Sequence, residues 1–347
     1  MSSDTRGEPR QGFYCWVDVP VGAGWANVEL VRSAVRGCLV AMLKSVDETH
    51  AIAMVAAELL ENAVRHGDWS HSRARFRIRI QGSALGCRVE VENPVVPDGA
   101  RLRSLLRTLE GLAKYPTPVE AYCAQVHRIA SAAGGHCELG LARIGYEGDC
   151  DVVAEVLEPG LVRVCATSRA RPGESPFEPL QMPAQSGLET LVRLAVPNSW
   201  QNSELVRVSA GLLVQTAIGP GEHGDCVGMA SGELMENAFK YGGPGVVTYA
   251  LSRRGATLDV EVTQAPKDAA SLYRLREAID WIQSFSDVQS AYLSRMQDYS
   301  AEGASQAGGL GLVRIAYEGR CALACESDAD GRVHVRASYP LPVAAGS

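Results

Sequence analysis

Two stretches, Glu58-Leu-Leu-Glu-Asn-Ala-Val-Arg-His-Gly67 and Glu233-Leu-Met-Glu-Asn-Ala-Phe-Lys-Tyr-Gly242, agree at six of ten positions and lie 175 residues apart. The same spacing carries Trp25 onto Trp200 and Glu29-Leu30-Val31-Arg32 onto Glu204-Leu205-Val206-Arg207. Further along, Val89-Glu90-Val91 answers Val260-Glu261-Val262, and LGLARIGYEGDC from Leu139 answers LGLVRIAYEGRC from Leu310. The offset there is 171, so the second copy is four residues shorter, a loss placed in the loop after the Glu-Asn-Ala helix. Ordered blocks at a nearly constant offset read as a tandem duplication. The first copy spans residues 12–168, a Pro-rich linker covers 169–186, and the second copy spans 187–342.

Within one copy the apolar periodicity sets an order of elements. FYCWVDVPV from Phe13 alternates as a strand, and Asn27 to Ser45 carries a helical stripe through Leu30, Val31, Ala34, Val35, Cys38, Leu39 and Met42. A second helix covers Thr49 to Arg65. Phe76, Ile78 and Ile80 alternate in RARFRIRIQG, with CRVEVEN as the hairpin partner. Two Leu- and Val-striped helices follow, then a Gly-rich turn, LGLARIGYEG, and strands near Val152–Val156 and Leu161–Ala166. The second copy repeats this order, with helices at 270–285 and 287–299. The closure expected of it is an α+β, two-layer sandwich, a mostly antiparallel sheet with helices on one face.

Composition bounds the function. The formal charge of −7, from 33 basic and 40 acidic residues, disfavours a nucleic-acid or anionic-membrane footprint. The opening MSSDTRGEPRQG has no apolar core of a secretory signal, and the longest apolar helix is broken by Glu58, so a cytoplasmic protein with no membrane span is expected. Ten scattered cysteines without a CxxC pair read as reduced thiols.

Chemistry concentrates on the Glu-Asn-Ala helix. Glu58 and Asn62 are one turn apart and share a face, as do Glu233 and Asn237. A carboxylate there suits a general base, and a neutral amide oxygen one turn on suits Mg²⁺. E-L-x-E-N-A-x-[RK]-[HY]-G resembles the N box of the GHKL ATP-binding superfamily. The resemblance implies the Bergerat fold, ATP and Mg²⁺ as cofactors, Glu58 and Glu233 as catalytic carboxylates, and Asn62 and Asn237 as Mg²⁺ and nucleotide ligands. Arg65 and Lys240, three residues beyond each Asn on the helix, read equally as phosphate contacts and as ordinary surface cations. Gly308-Gly309-Leu310-Gly311-Leu312 resembles the family's second glycine turn, placing Gly308, Gly309 and Gly311 near phosphates, whereas the first copy has Glu138 in the matching stretch.

Neither copy carries the D-x-G-x-G whose Asp meets the adenine amino group. Asn93 stands there in the first copy and Gln264 in the second, and an amide accepts less strongly than a carboxylate. Within the superfamily, the arrangement is most similar to SiaB-like and anti-sigma serine/threonine kinases, which act on small STAS-like partners. Two functions are therefore expected. One is an ATP-binding regulator, a serine/threonine kinase or anti-sigma-like partner switch directed at a STAS-like or sigma-factor-like protein, with the second copy as the nucleotide site. The alternative is a non-catalytic interaction module, a pseudoenzyme. In either case the two copies are expected to pack through their first helices as an intramolecular pseudo-dimer.

Overall fold

The computed structural model describes residues 13–22, 24–42, 45–68, 75–83, 85–97, 99–131, 139–169, 177–178, 187–302 and 310–342. It contains two compact units, the body of one being Cys15–Val40 with Lys44–Gln181 and of the other Met182–Ser347. The N-terminal unit runs β1 (Tyr14–Gly22), α1 (Trp25–Ala41), α2 (Val46–His66), β2 (Arg75–Ser83), β3 (Gly86–Pro94), α3 (Ala100–Leu112), α4 (Pro118–Ser131), α5 (Leu139–Tyr146), β4 (Cys150–Glu158) and β5 (Leu161–Ser168). The C-terminal unit runs β6 (Glu189–Pro197), α6 (Gln201–Ile218), α7 (Glu222–Tyr241), β7 (Val246–Arg254), β8 (Thr257–Gln264), α8 (Ala269–Gln283), α9 (Val288–Glu302), α10 (Leu310–Tyr317), β9 (Ala322–Ser327) and β10 (Val333–Pro340).

Each unit is a mixed α and β body around an antiparallel sheet. The strand order is β4-β5-β3-β2-β1 in the N-terminal unit and β6-β7-β8-β10-β9 in the C-terminal one. Register follows the period-2 pattern: Ile78 pairs with Val91 and Val91 with Val164, so apolar residues line one face. That face is buried under the helices, with Phe76, Ile78, Ile80, Val89 and Val91 almost fully enclosed. The alternate positions carry ion pairs. Arg79 bridges Asp18 and Glu90, and Arg163 pairs with Glu92 at 2.6 Å. Burial opposes the Glu90 charge, yet the Arg88 and Arg79 guanidiniums bonded to it hold its carboxyl below the ordinary value. No helix among the described residues is long and apolar enough to cross a membrane.

Three local features depart from the periodicity. The first helix stops at Ala41 instead of Ser45, and the second starts at Val46 instead of Thr49. The cause is a capping box: the Glu48 amide donates to Ser45 Oγ at 3.1 Å, and the Glu48 side chain accepts from the Ser45 amide. The LGLARIGY and LGLVRIAY segments are eight-residue helices. Of the Pro-rich linker, Arg169 donates to the carbonyls of Gly145 and Cys150 and pairs with Asp149 and Asp151, and Phe177 is buried. Residues 170–176 and 179–186 of that linker lie outside the described set.

Helices α6 and α7 approach backbone to backbone. Gly224, Gly228 and Gly232 repeat every four residues along α7, and a Cβ on Gly228 would come within 2.9 Å of the Arg207 carbonyl. A methyl there has nowhere to go without separating the helices. Gly228→Ala is expected to lower unfolding free energy by about 1–3 kcal/mol, the usual cost of overpacking. Equilibrium denaturant melts measure it, and an unchanged midpoint would contradict the close approach.

Candidate functional site

Helix α2 is positioned by its capping box and by a buried stripe of Ile52, Val55, Ala56, Leu59, Leu60 and Ala63. That stripe fixes the helix rotation, which leaves Glu58 and Asn62 at the margin between the core and the open side. In the C-terminal unit α7 presents Glu233 and Asn237 in the same way, with Asn237 buried.

The glutamates are clamped. Arg143, on α5, donates from Nη1 to Glu58 Oε1 at 2.5 Å, and its Nη2 donates to Glu147 Oε2 at 2.9 Å. Arg314, on α10, repeats this with Glu233 Oε1 at 2.7 Å and with Glu318. The other oxygen of each glutamate lies against a glycine of the short helix, Gly140 for Glu58 and Gly311 for Glu233, so close that a Cβ on either glycine would collide with it. The glycine of each Leu-Gly-Leu is thus required by a carboxylate. A stacked tyrosine pair stands beside each clamp, Tyr122 on Tyr146 at 5.0 Å and Tyr292 on Tyr317 at 4.7 Å.

Burial pushes the Glu58 carboxyl above the ordinary value against the pull of Arg143, and does the same to Glu233 against Arg314. A hydrogen bond between charged groups contributes about 1.5–3 kcal/mol, which offsets part of the cost of withdrawing each carboxylate from water. Sequence reasoning passed over Arg143 and Arg314. The signal was present: both copies carry the Arg and, four residues on, a Glu, in L-G-L-x-R-I-x-Y-E-G.

A cavity of about 350 Å³ opens in the N-terminal unit between the sheet and α3. Its floor is Val91, Val162 and Val164, and its roof is Leu102 and Leu105 from α3. Asn62 and His66 enter from α2, and Asn93 enters from the end of β3. Asn93 is buried, with Nδ2 leaning on the Pro94 carbonyl at 3.4 Å. The Asn62 Nδ2 is buried without a hydrogen-bond partner, and so is the Asn237 Nδ2. An orphaned buried donor costs about 1–3 kcal/mol, so one recurring at both matching positions asks for an acceptor. His66 has its pKa lowered, first by burial and then by Arg65 and Arg101.

The remaining sequence candidates fall elsewhere. Arg65 is exposed, pairs with Glu61 at 3.8 Å and sits over the Trp25 ring at 5.7 Å; Lys240 is exposed and pairs with Glu236 at 3.6 Å. Arg65 does not line the cavity. The three-residue step from Asn62 to Arg65 turns the side chain outward. Gly311 lies in the first turn of α10, while Gly308, Gly309 and Glu138 lie outside the described residues. In the C-terminal unit Gln264, the counterpart of Asn93, is buried against Gly242 with Oε1 unpartnered. A bridge between Gly242 and Pro266 closes the end of α7 onto the segment after β8. No cluster of three or more His, Cys, Asp or Glu able to hold a metal occurs among the described residues.

Comparison with protein-family models, with curated proteins and with solved structures returns no match.

The two clamped glutamates carry a pH signature. A carboxyl whose folded-state pKa is raised opposes folding above that pKa, and the penalty is relieved as pH falls through it. Changing Glu58→Gln with Glu233→Gln removes both penalties. The stability of this variant relative to the parent should therefore climb as pH rises above the ordinary carboxyl value of about 4.3. Denaturant melts across that range test it, and a difference that is flat or declines with pH would contradict the assignment.

Proposed function

We propose that the chain is an ATP-binding regulatory protein of the GHKL kind, built from a duplicated Bergerat-type domain. It acts as a serine/threonine kinase or anti-sigma-like partner switch on a small STAS-like or sigma-factor-like protein. The nucleotide site is assigned to the N-terminal unit. The glycines alone favour the second copy, but the observation that carries the proposal is the cavity bounded by both Asn62 and Asn93. Its volume falls within the roughly 300–1,000 Å³ of small-molecule pockets. Valine and leucine faces suit a flat base. With Nδ2 directed at Pro94, the Asn93 Oδ1 is the acceptor that an exocyclic amino group needs.

Asn62 fits the polar end. Its unpartnered Nδ2 supplies a donor for a phosphate oxygen, and its Oδ1 is a hard ligand for Mg²⁺, which needs only one or two protein oxygens when phosphates and waters complete its shell. Bound Mg²⁺-ATP supplies the transferable phosphoryl group and neutralises its charge. Glu58, one turn below Asn62, is the base for a partner hydroxyl. Burial moves its pKa toward working pH, which favours proton acceptance, and Arg143 fixes its orientation.

A second reading has its own support. Arg143 and Arg314 each occupy an oxygen of the carboxylate that would accept the proton. A glutamate so engaged suits a non-catalytic interaction module in which the clamp is structural.

Calorimetric titration with Mg²⁺-ATP separates the outcomes. Binding should be lost in Asn62→Ala, retained in Asn237→Ala and weakened about tenfold or more in Asn93→Ala, the value of one hydrogen bond. No binding to the parent at millimolar nucleotide would contradict the proposal. If the parent binds and transfers phosphate but Glu58→Gln transfers equally fast, the base assignment fails. Binding without any turnover favours the non-catalytic reading.

A further inference from the structure

The α3–α4 and α8–α9 helix pairs are matched by sequence but fastened differently. Ala121 with Tyr122 and Ala291 with Tyr292 set the register, both tyrosines stacking on the tyrosine of the following short helix. In that register Gly111 stands where the other unit has Trp281, Tyr115 where it has Phe285, and Gln125 where it has Arg295.

In the C-terminal unit these residues join the two helices. The Arg295 guanidinium lies over the Trp281 ring at 4.2 Å, and Phe285 meets the same ring edge to face at 4.7 Å. Gln283 donates to the Leu323 carbonyl at 3.0 Å and Arg276 to Ser327 Oγ at 2.7 Å, tying α8 to β9. Held this way, α8 buries Leu275, Ile279 and Ile282 to between 2% and 5% exposure.

The N-terminal unit lacks this fastening. A Cβ on Gly111 would meet nothing within 4 Å. Gln125 is 7% exposed, yet its Oε1 has no partner. Leu105, Leu109 and Leu112, which match Leu275, Ile279 and Ile282, are only half-buried. Cavities flank α3 on both sides, about 350 Å³ beneath it and about 290 Å³ at its turn into α4, with Leu141 lining both.

We infer that Gly111 and Gln125 keep α3 standing off the sheet, so that the N-terminal cavity admits a flat, largely apolar ring of purine size. Trp281 and Arg295 pin α8 down and close the corresponding place in the C-terminal unit. One chain thereby carries a receptive copy and a sealed copy, and four residues decide which is which. The identity of the ligand rests on the nucleotide reading above, whereas the fastening does not.

Amide hydrogen exchange on the full chain tests the fastening directly. Gly111→Trp combined with Gln125→Arg grafts the clamp onto α3, and Gly111→Ala supplies the gain in helix propensity without the ring. Exchange across residues 102–112 should slow about tenfold more in the graft than in Gly111→Ala, the scale of a shielded cation–π contact. The reverse variant, Trp281→Gly with Arg295→Gln, should speed exchange across residues 272–283 by a similar factor, and it decides the question if the graft does not fold. No slowing of α3 beyond the Gly111→Ala effect in a folded graft, or no speeding of α8, would overturn the inference. Adenosine titrated into the same proteins should bind the parent and Gly111→Ala but not the graft. Equal binding to a folded graft would overturn the inference. A parent that binds no adenosine would fail the nucleotide reading and leave the exchange result to decide the fastening.

Discussion

A carboxylate taken out of water must be given a partner, and the burial of Glu58 and Glu233 organises the site in both units. Each lies between a long helix and a short one, with an arginine on one oxygen and a glycine pressed against the other. This contact ties α5 to α2 and α10 to α7, alongside the buried apolar residues of the short helices. It also explains why the short helices carry a glycine despite its poor helix propensity. The neighbouring asparagine, one turn along the same helix, then stands at the margin of the core with its amide nitrogen buried. Its orphaned amide nitrogen is the clearest unmet demand at the site.

From that common frame the units diverge by how their next helix is held. Where Trp281 and Arg295 stack, Leu275, Ile279 and Ile282 of the same helix are buried. Where Gly111 and Gln125 replace them, the same class of apolar residue stays half out of contact and a cavity remains. Apolar surface left unpacked forgoes roughly 25 cal/mol per Å² of burial. A ligand that covered it would recover that stabilisation, which links a packing defect to a binding role.

Much of this was legible from the residues. The element order followed from apolar period, and the β2–β3 hairpin and the paired faces of Glu58 with Asn62 and Glu233 with Asn237 followed from spacing. Other features rest on contacts between distant segments, which periodicity does not encode. The clamp joins residues 85 positions apart, so spacing along the chain assigned Arg143 no role. Glycine in Leu-Gly-Leu was expected at phosphate because glycine admits any close neighbour, and the structure places a carboxylate there. Arg65 and Lys240, left open between phosphate contact and surface cation, are exposed and pair with Glu61 and Glu236 on their own helices. The glycines in the sequence favoured the second copy, whereas the proposal for the N-terminal unit rests on the cavity that Asn62 and Asn93 line. Ser45 and Glu48 form a capping box that was present in the sequence as S-x-x-E and passed over.

The central claim is that the N-terminal cavity is the ligand site and its counterpart is sealed. Methyl-resolved NMR of the full chain, titrated with Mg²⁺-ATP, observes both places in one experiment. The account predicts shifts at the methyls of Leu59, Val91, Leu102, Leu105, Val162 and Val164, with those of Leu275, Ile279 and Ile282 unmoved. Shifts confined to the C-terminal set, or none in either set at millimolar nucleotide, would contradict it.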